Sequence, residues 1–452
     1  MSFTIHRGHT KFDSGGLMHN NPWSLRARLG SLLLLLTAAT SLAAADNLLA
    51  FPGAQGAAAQ TPGGRGGRII RVTTLDASGP GSLLEALETK GPRIVVFEVG
   101  GVIDMQKHEI KIKEPFLTIA GQTAPSPGIT LIRTGIDVLT HDVIVQHIRV
   151  RTGSAGAEKR KGWEPDAFST VGAYNVIVDH CSMTWAVDEN LSASGPRFTG
   201  KTVADWRKGT SHSITFSNNI IAEGLRHSTH AKGEHSKGSL IHDNASDILI
   251  INNLYAHNHE RNPLFKGGVH GMVINNLIYN PGPRAVHYNL IAEEWRGQPY
   301  QNGRLALIGN VLRGGPSTPP NLPLFMLGGS GDLEYYEADN IAVDWTGQDL
   351  PKFGRYTNSA AKIIPMAKPA LPFGVQLLPA AEVQDAVILN AGARPWDRDP
   401  IDARIVADTI EGRGEIIDSE EDVGGYPAYK ETRQKFDEKD WDLRYMTPRE
   451  KK

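Results

Sequence analysis

The sequence predicts an all-β fold built as a parallel β-helix, and three observations predict it. Short β-branched runs recur through the middle of the 452-residue chain, each followed by polar residues. The last four runs carry asparagine at one corresponding position, at 219, 253, 276 and 310, so the repeats are 34, 23 and 34 residues apart. Asn-Gly and Asp-Gly, the dipeptides of tight hairpins, are almost absent between them. A fixed local pattern at uneven spacing fits strands stacked in register with loops of different length between coils. An asparagine at such a corner can take a left-handed bend, and its amide can bond the asparagine one coil away. A sandwich would instead alternate apolar and polar residues between hairpin turns.

From the N-terminus, Arg26 and Arg28 precede five leucines at 32–36, and the segment closes on Ala43-Ala44-Ala45. A charged start, a short apolar run and a small-residue cleavage site read as an export signal over residues 1–45. Met18 offers a second start that would shorten the charged region. A membrane span would need about 20 apolar residues. Residues 46–385 are read as the β-helix and 386–452 as a C-terminal appendage packed on it or trailing from it, with the charged end from Lys430 loosely held. Such a length ordinarily suggests several domains, but repeats that bury their faces on one another extend a single one. The product is expected to be secreted or periplasmic, and monomeric.

The net charge of -2, with no basic run, gives no reason to invoke nucleic acid. Cys181 is the only cysteine, so no disulfide forms within the chain; in the strand-like run Val176-Ile177-Val178-Asp179-His180-Cys181 it reads as a buried small hydrophobe. Ahead of the repeats, Ser82 and Glu85 form a capping-box pattern at the start of Leu83-Leu84-Glu85-Ala86-Leu87, a short helix placed to close the open end of the stack.

Three clusters carry chemistry. Asp166, Asp179, Asp188 and Glu189 are acidic; Asp166 and Asp188 end neighbouring strand-like runs, so stacking would bring them together as oxygen ligands for calcium. Arg226, Lys232 and Lys237 form a cationic stretch, and His259-Glu260-Arg261-Asn262-Pro263 leads to Lys266. Acids and bases on one side of successive coils make a cleft suited to an anionic sugar chain. His227, His230 and His235 lack the spacing of a zinc site and read as a hydrogen-bonding loop, with His235, Lys232 and Lys237 facing substrate.

In this order, Val178-Asp179-His180-Cys181-Ser182, Arg261-Asn262-Pro263 and Val273-Ile274-Asn275-Asn276 resemble polysaccharide lyase family 1, the pectate lyases. The resemblance starts at Phe51-Pro52-Gly53-Ala54 and ends near Gly424-Gly425-Tyr426. It implies a right-handed β-helix, Ca2+, and cleavage of polygalacturonate by β-elimination. It makes Arg261 the base that takes the C5 proton, with Arg226 and Lys266 as supporting cations. It makes Asp166 and Asp188 calcium ligands; the family's second aspartate, four residues after Asp188, is Ser192 here, and Glu189 is the substitute. Other readings share part of the pattern: a lyase for another uronate polymer, a β-helix glycoside hydrolase with paired carboxylates, and a non-catalytic protein that binds acidic glycans.

Overall fold

The computed structural model describes residues 48–450 apart from position 236. The expected signal, residues 1–45, lies outside the described residues. The chain winds as a right-handed parallel β-helix with three sheets of 11, 10 and 9 strands. One coil shows the unit: Tyr174–Asp179 lies in the first sheet, Ser182–Thr184 in the second and Leu191–Ser194 in the third. Each strand pairs in parallel with its counterpart one coil on, as His212–Ser217 does with Tyr174–Asp179.

Interior positions alternate with outward ones, so Val143, Val145, Val176 and Val178 enter the central core. Ile144 and Ile177, which point the other way, are covered by Phe51, Ala54 and Ala58 from the chain start. Burial on both faces explains why these strands read as unbroken apolar runs.

The asparagine corners divide two tasks between adjacent residues. The left-handed bend falls one position earlier than expected, at Asn218, Asn252 and Asn275 (φ 54°, 58° and 52°). That frees the next residue for the ladder: Asn219 Nδ2 donates to Asn253 Oδ1 at 2.9 Å, Asn253 to Asn276 at 2.9 Å and Asn276 to Asn310 at 3.0 Å. Asn340 extends the ladder, receiving from Asn310 at 3.1 Å. Cys181 holds the corresponding corner one coil before Asn219, whose Oδ1 accepts its N–H at 2.8 Å.

The helix Leu83–Glu88 closes one end of the stack, placing Leu83, Ala86 and Leu87 in the core. Ser82 Oγ accepts the Glu85 N–H, whereas the Glu85 carboxylate reaches back to the N–H of Gly81 rather than of Ser82. Fully buried Arg93 donates to the Ala86 and Leu87 carbonyls, which the helix end leaves unpaired.

The C-terminal region contains two helices, Ala380–Asn390 and Pro400–Glu411, that cover the second sheet through Val383, Val387 and Ile405. Asp399 caps the second helix and meets Arg151 at 2.7 Å, while Asp402 meets Arg149 at 3.2 Å; all four side chains are fully buried. The end of the chain is held rather than loose. Thr432–Arg433 pairs antiparallel with Val99 and Gly100, and Phe436 and Met446 are buried against Ile94, Val96 and Ala120. Apolar anchors offset the charge of this segment. No described helix is long and apolar enough to cross a membrane.

Candidate active site

The loops joining the second sheet to the third bring the acidic and basic clusters together. Asp166 precedes Phe168–Val171, Asp188 and Glu189 precede Leu191–Ser194, Lys237 precedes Leu240–Ile241, and Arg261 precedes Leu264–Lys266. Because the coils stack in register, Glu189 bridges to Lys237 and Lys237 to Glu260 along the helix axis. Residues far apart in sequence thereby become neighbours.

Asp166, Asp188 and Glu189 offer oxygens that all lie within 4.8 Å of one another. Asp166 also accepts the Glu189 N–H at 3.0 Å, which fixes the spacing between the two coils. Burial, then the charges of Asp188 and Asp137, push the Asp166 carboxyl well above its usual range. Burial acts the same way on Asp188, but the imidazoles of His230 and His235 and the charge of Arg261 outweigh it and hold Asp188 low. Converging carboxylates that resist joint ionisation are stabilised by a cation, and an all-oxygen donor set fits calcium. Ser192 is buried and pairs in register with Ser169, so the strand supplies no carboxylate at that place. A groove of about 250 Å3 runs beside this group, lined by Asp137, Asp166, Ser169 and Ser194.

Arg261 has a left-handed backbone (φ 63°) and its guanidinium is ion-paired with Glu189. Burial lowers its pKa from the usual value, opposed by the charges of Asp188 and Asp166. Lys237 is buried and paired with Glu260, which also binds Arg284. Burial and the Arg284 charge bring the Lys237 ammonium down to about 8. His235 Nε2 sits 2.7 Å from Asp188.

Other expected residues lie at the margin. Arg226 turns to the C-terminal segment, where Asp418 takes its Nε at 3.2 Å. Lys232 is exposed. Lys266, buried in the third sheet, is bound to Glu294, with Asp243 at 4.0 Å. Glu260, Arg284 and Glu294 were not singled out in the sequence. Glu260 adjoins Arg261 in the chain, but its pairing with Lys237 arises only when the coils stack.

No protein-family model matches the chain. It is 34% identical over 397 residues to a probable pectate lyase C of Neosartorya fischeri, covering 87% of this chain and 84% of that protein. A probable pectate lyase C of Emericella nidulans is 33% identical over 405 residues, with 88% and 84% covered. Among solved structures, the chain is similar to Jun a 1, the major allergen of cedar pollen, with a TM-score of 0.53, 17% identity, and 75% and 92% of the two chains covered. It is also similar to a thermostable pectate lyase, with a TM-score of 0.51, 15% identity, and 75% and 97% covered. These two structures support the fold.

Proposed function

The chain belongs to the pectate lyases of polysaccharide lyase family 1 and is a polysaccharide lyase; from that premise we propose that it cleaves α-1,4-linked polygalacturonate by calcium-dependent β-elimination, with Arg261 as base. The observation that carries this reading is the position of Arg261, one ion pair away from a three-carboxylate cation site. Asp166, Asp188 and Glu189 would hold the calcium. Bound there, it supplies positive charge that cancels the carboxylates and draws in the uronate group, which acidifies the C5 proton.

An arginine is ordinarily too strong a cation to act as a base. Here burial disfavours its charged form, and the charges of Asp188 and Asp166 favour it. Burial is already the largest influence, and neutralising Asp166, Asp188 and the paired Glu189 would remove what opposes it, which favours a guanidine nitrogen able to accept the C5 proton. The electron pair left at C5 forms the C4–C5 double bond as the C4–O bond breaks, and the departing oxygen takes a proton from water. Lys237 stands closest in arrangement to a cation that offsets charge on the substrate as the proton leaves, through its place between Glu189 and Glu260. Lys266, Arg226 and the exposed Lys232 would contribute to binding the polymer outside the reacting unit. Residues 1–45 would direct export to where the polymer is met.

The test is ultraviolet absorbance of the unsaturated product on incubation with polygalacturonate. Absorbance that a chelator stops and calcium restores is the expected result. Reducing ends without absorbance would mean a hydrolase, and full activity in excess chelator would remove the calcium role. Absorbance with alginate and none with polygalacturonate would reassign the substrate.

A further inference from the structure

The loop between Ile220–Ala222 and Leu240–Ile241 brings two histidines onto Asp188, which also belongs to the all-oxygen group. His230 is 1% exposed and His235 5% exposed, and their rings stack with centroids 3.7 Å apart. His235 Nε2 is 2.7 Å from Asp188 Oδ1. His230 Nε2 is 3.6 Å from Asp188 Oδ2, too far for a hydrogen bond, and this buried nitrogen has no other hydrogen-bond partner. The three ligand atoms lie within 4.8 Å of one another.

We propose that Asp188, His230 and His235 form a second cation site, for a divalent first-row transition ion such as zinc, adjoining the calcium site. Imidazole nitrogens suit zinc, cobalt and nickel, whereas calcium takes oxygen. Two histidines and one carboxylate leave coordination positions open to water or a ligand oxygen. The spacing of the histidines alone does not mark such a site; the fold supplies the third ligand from the preceding coil.

Ligation requires each ring to carry its proton on Nδ1 and to release Nε2, which Asp188 otherwise faces as an acceptor, to the metal. His235 Nδ1 lies 3.1 Å from the Glu234 carbonyl, so an N–H there leaves the Nε2 lone pair for a metal. His230 Nδ1 accepts the Lys232 N–H at 3.1 Å and has Glu164 at 3.6 Å. Ligation through Nε2 requires the His230 proton to move to Nδ1, which breaks the bond from the Lys232 N–H and requires the Glu164 carboxylate to close in from 3.6 Å to accept it. Asp188, common to both groups, becomes a bridge between a hard and a borderline cation.

The test needs no polysaccharide and does not rest on lyase activity. The full chain is titrated with Zn2+ by calorimetry and with Co2+ by visible absorption. One equivalent of each is expected, with the intense cobalt bands of a nitrogen-containing site of low coordination number. His230→Ala and His235→Ala should each weaken Zn2+ binding by about tenfold or more and leave Ca2+ binding within about twofold, while His227→Ala changes neither. Absence of stoichiometric binding, only the weak bands of an all-oxygen six-coordinate cobalt, or unchanged Zn2+ affinity in both folded variants would overturn the proposal. The wild-type cobalt spectrum decides alone if the variants do not fold.

Discussion

The guanidinium of Arg261 is held by Glu189, and the same carboxylate converges with Asp166 and Asp188 on a common point. One acidic side chain is therefore shared between the proposed base and the proposed cation site. A cation drawing on Glu189 loosens its hold on Arg261, and Arg261 opposes the cation. Arg261→Gln should consequently bind Ca2+ more tightly than wild type, because a like charge has left the site. Turnover should fall about 10²–10⁴-fold, the usual contribution of a positioned base. Calorimetry and absorbance measure the two. Weaker calcium binding would break the link, and wild-type rates would exclude Arg261 as base.

The asparagine ladder is expected to contribute directly to stability. Asn253 donates to both Asn276 and the Phe216 carbonyl and accepts from Asn219, all buried. Asn253→Ala removes the acceptor of the buried Asn219 N–H and the donor to the Phe216 carbonyl, while Asn276 Oδ1 keeps the Asn253 N–H and Asn219 Nδ2 keeps the Val178 carbonyl, at about 1–3 kcal/mol for each group left unpaired. Denaturant unfolding should show a loss of at least that size; a change within experimental scatter would make the ladder ornamental.

The buried quartet of Arg149, Arg151, Asp399 and Asp402 fastens the C-terminal helix to the second sheet. Asp402 also accepts from Ser182 Oγ at 2.7 Å. Asp402→Ala leaves cationic charge uncompensated in the interior, at about 3–5 kcal/mol. Replacing Asp402 and Arg149 together by apolar residues, which keeps Asp399 paired with Arg151, should cost less than the single change. A single variant as stable as wild type would contradict this account.

Stability should also depend on pH through neutral histidines. Burial, with the His180 charge next, lowers His147 to about 3, and burial foremost lowers His242 and His270 to about 4. In the unfolded chain each titrates near about 6.5. Below that pH the unfolded state binds more protons, so the stabilisation is complete above about 6.5 and is lost as pH falls toward about 4, and toward about 3 for His147. Asp399, held low by Arg151 and Arg149 against the effect of burial, acts in a separate window, below about 3.9, its unfolded value. Thermal midpoints that stay level from pH 7 to 4 would rule out the histidine contribution.

Local signals made the fold readable. The apolar runs and asparagines encode strands and corners through neighbours in sequence, and the Ser82 cap does the same for the end helix. Asn340 was missed because its strand, Leu333–Ala338, carries Glu334, Glu337 and two tyrosines in place of an aliphatic run. Helix Pro400–Glu411 did carry a signal, with Asp399-Pro400 at its start, Ile401, Ile405 and Val406 on one face and Gly412 at its end; the crowd of acids obscured it. The site was legible in its residue types and only partly in its pairings. Glu260 with Lys237, and Asp188 with His230, meet because loops of unequal length return to the same height, which no spacing rule gives.

A stack in which each coil touches only its neighbours ordinarily comes apart piecemeal, one repeat at a time. Here the last residues travel back over the second sheet and add Thr432–Arg433 to the first coils. That return contact stitches the C-terminal segment to the first coils, so fraying at that end must break a long-range seam. The molecule should then melt in a single concerted step, and a chain still emerging from synthesis cannot complete its fold until nearly its whole length is available.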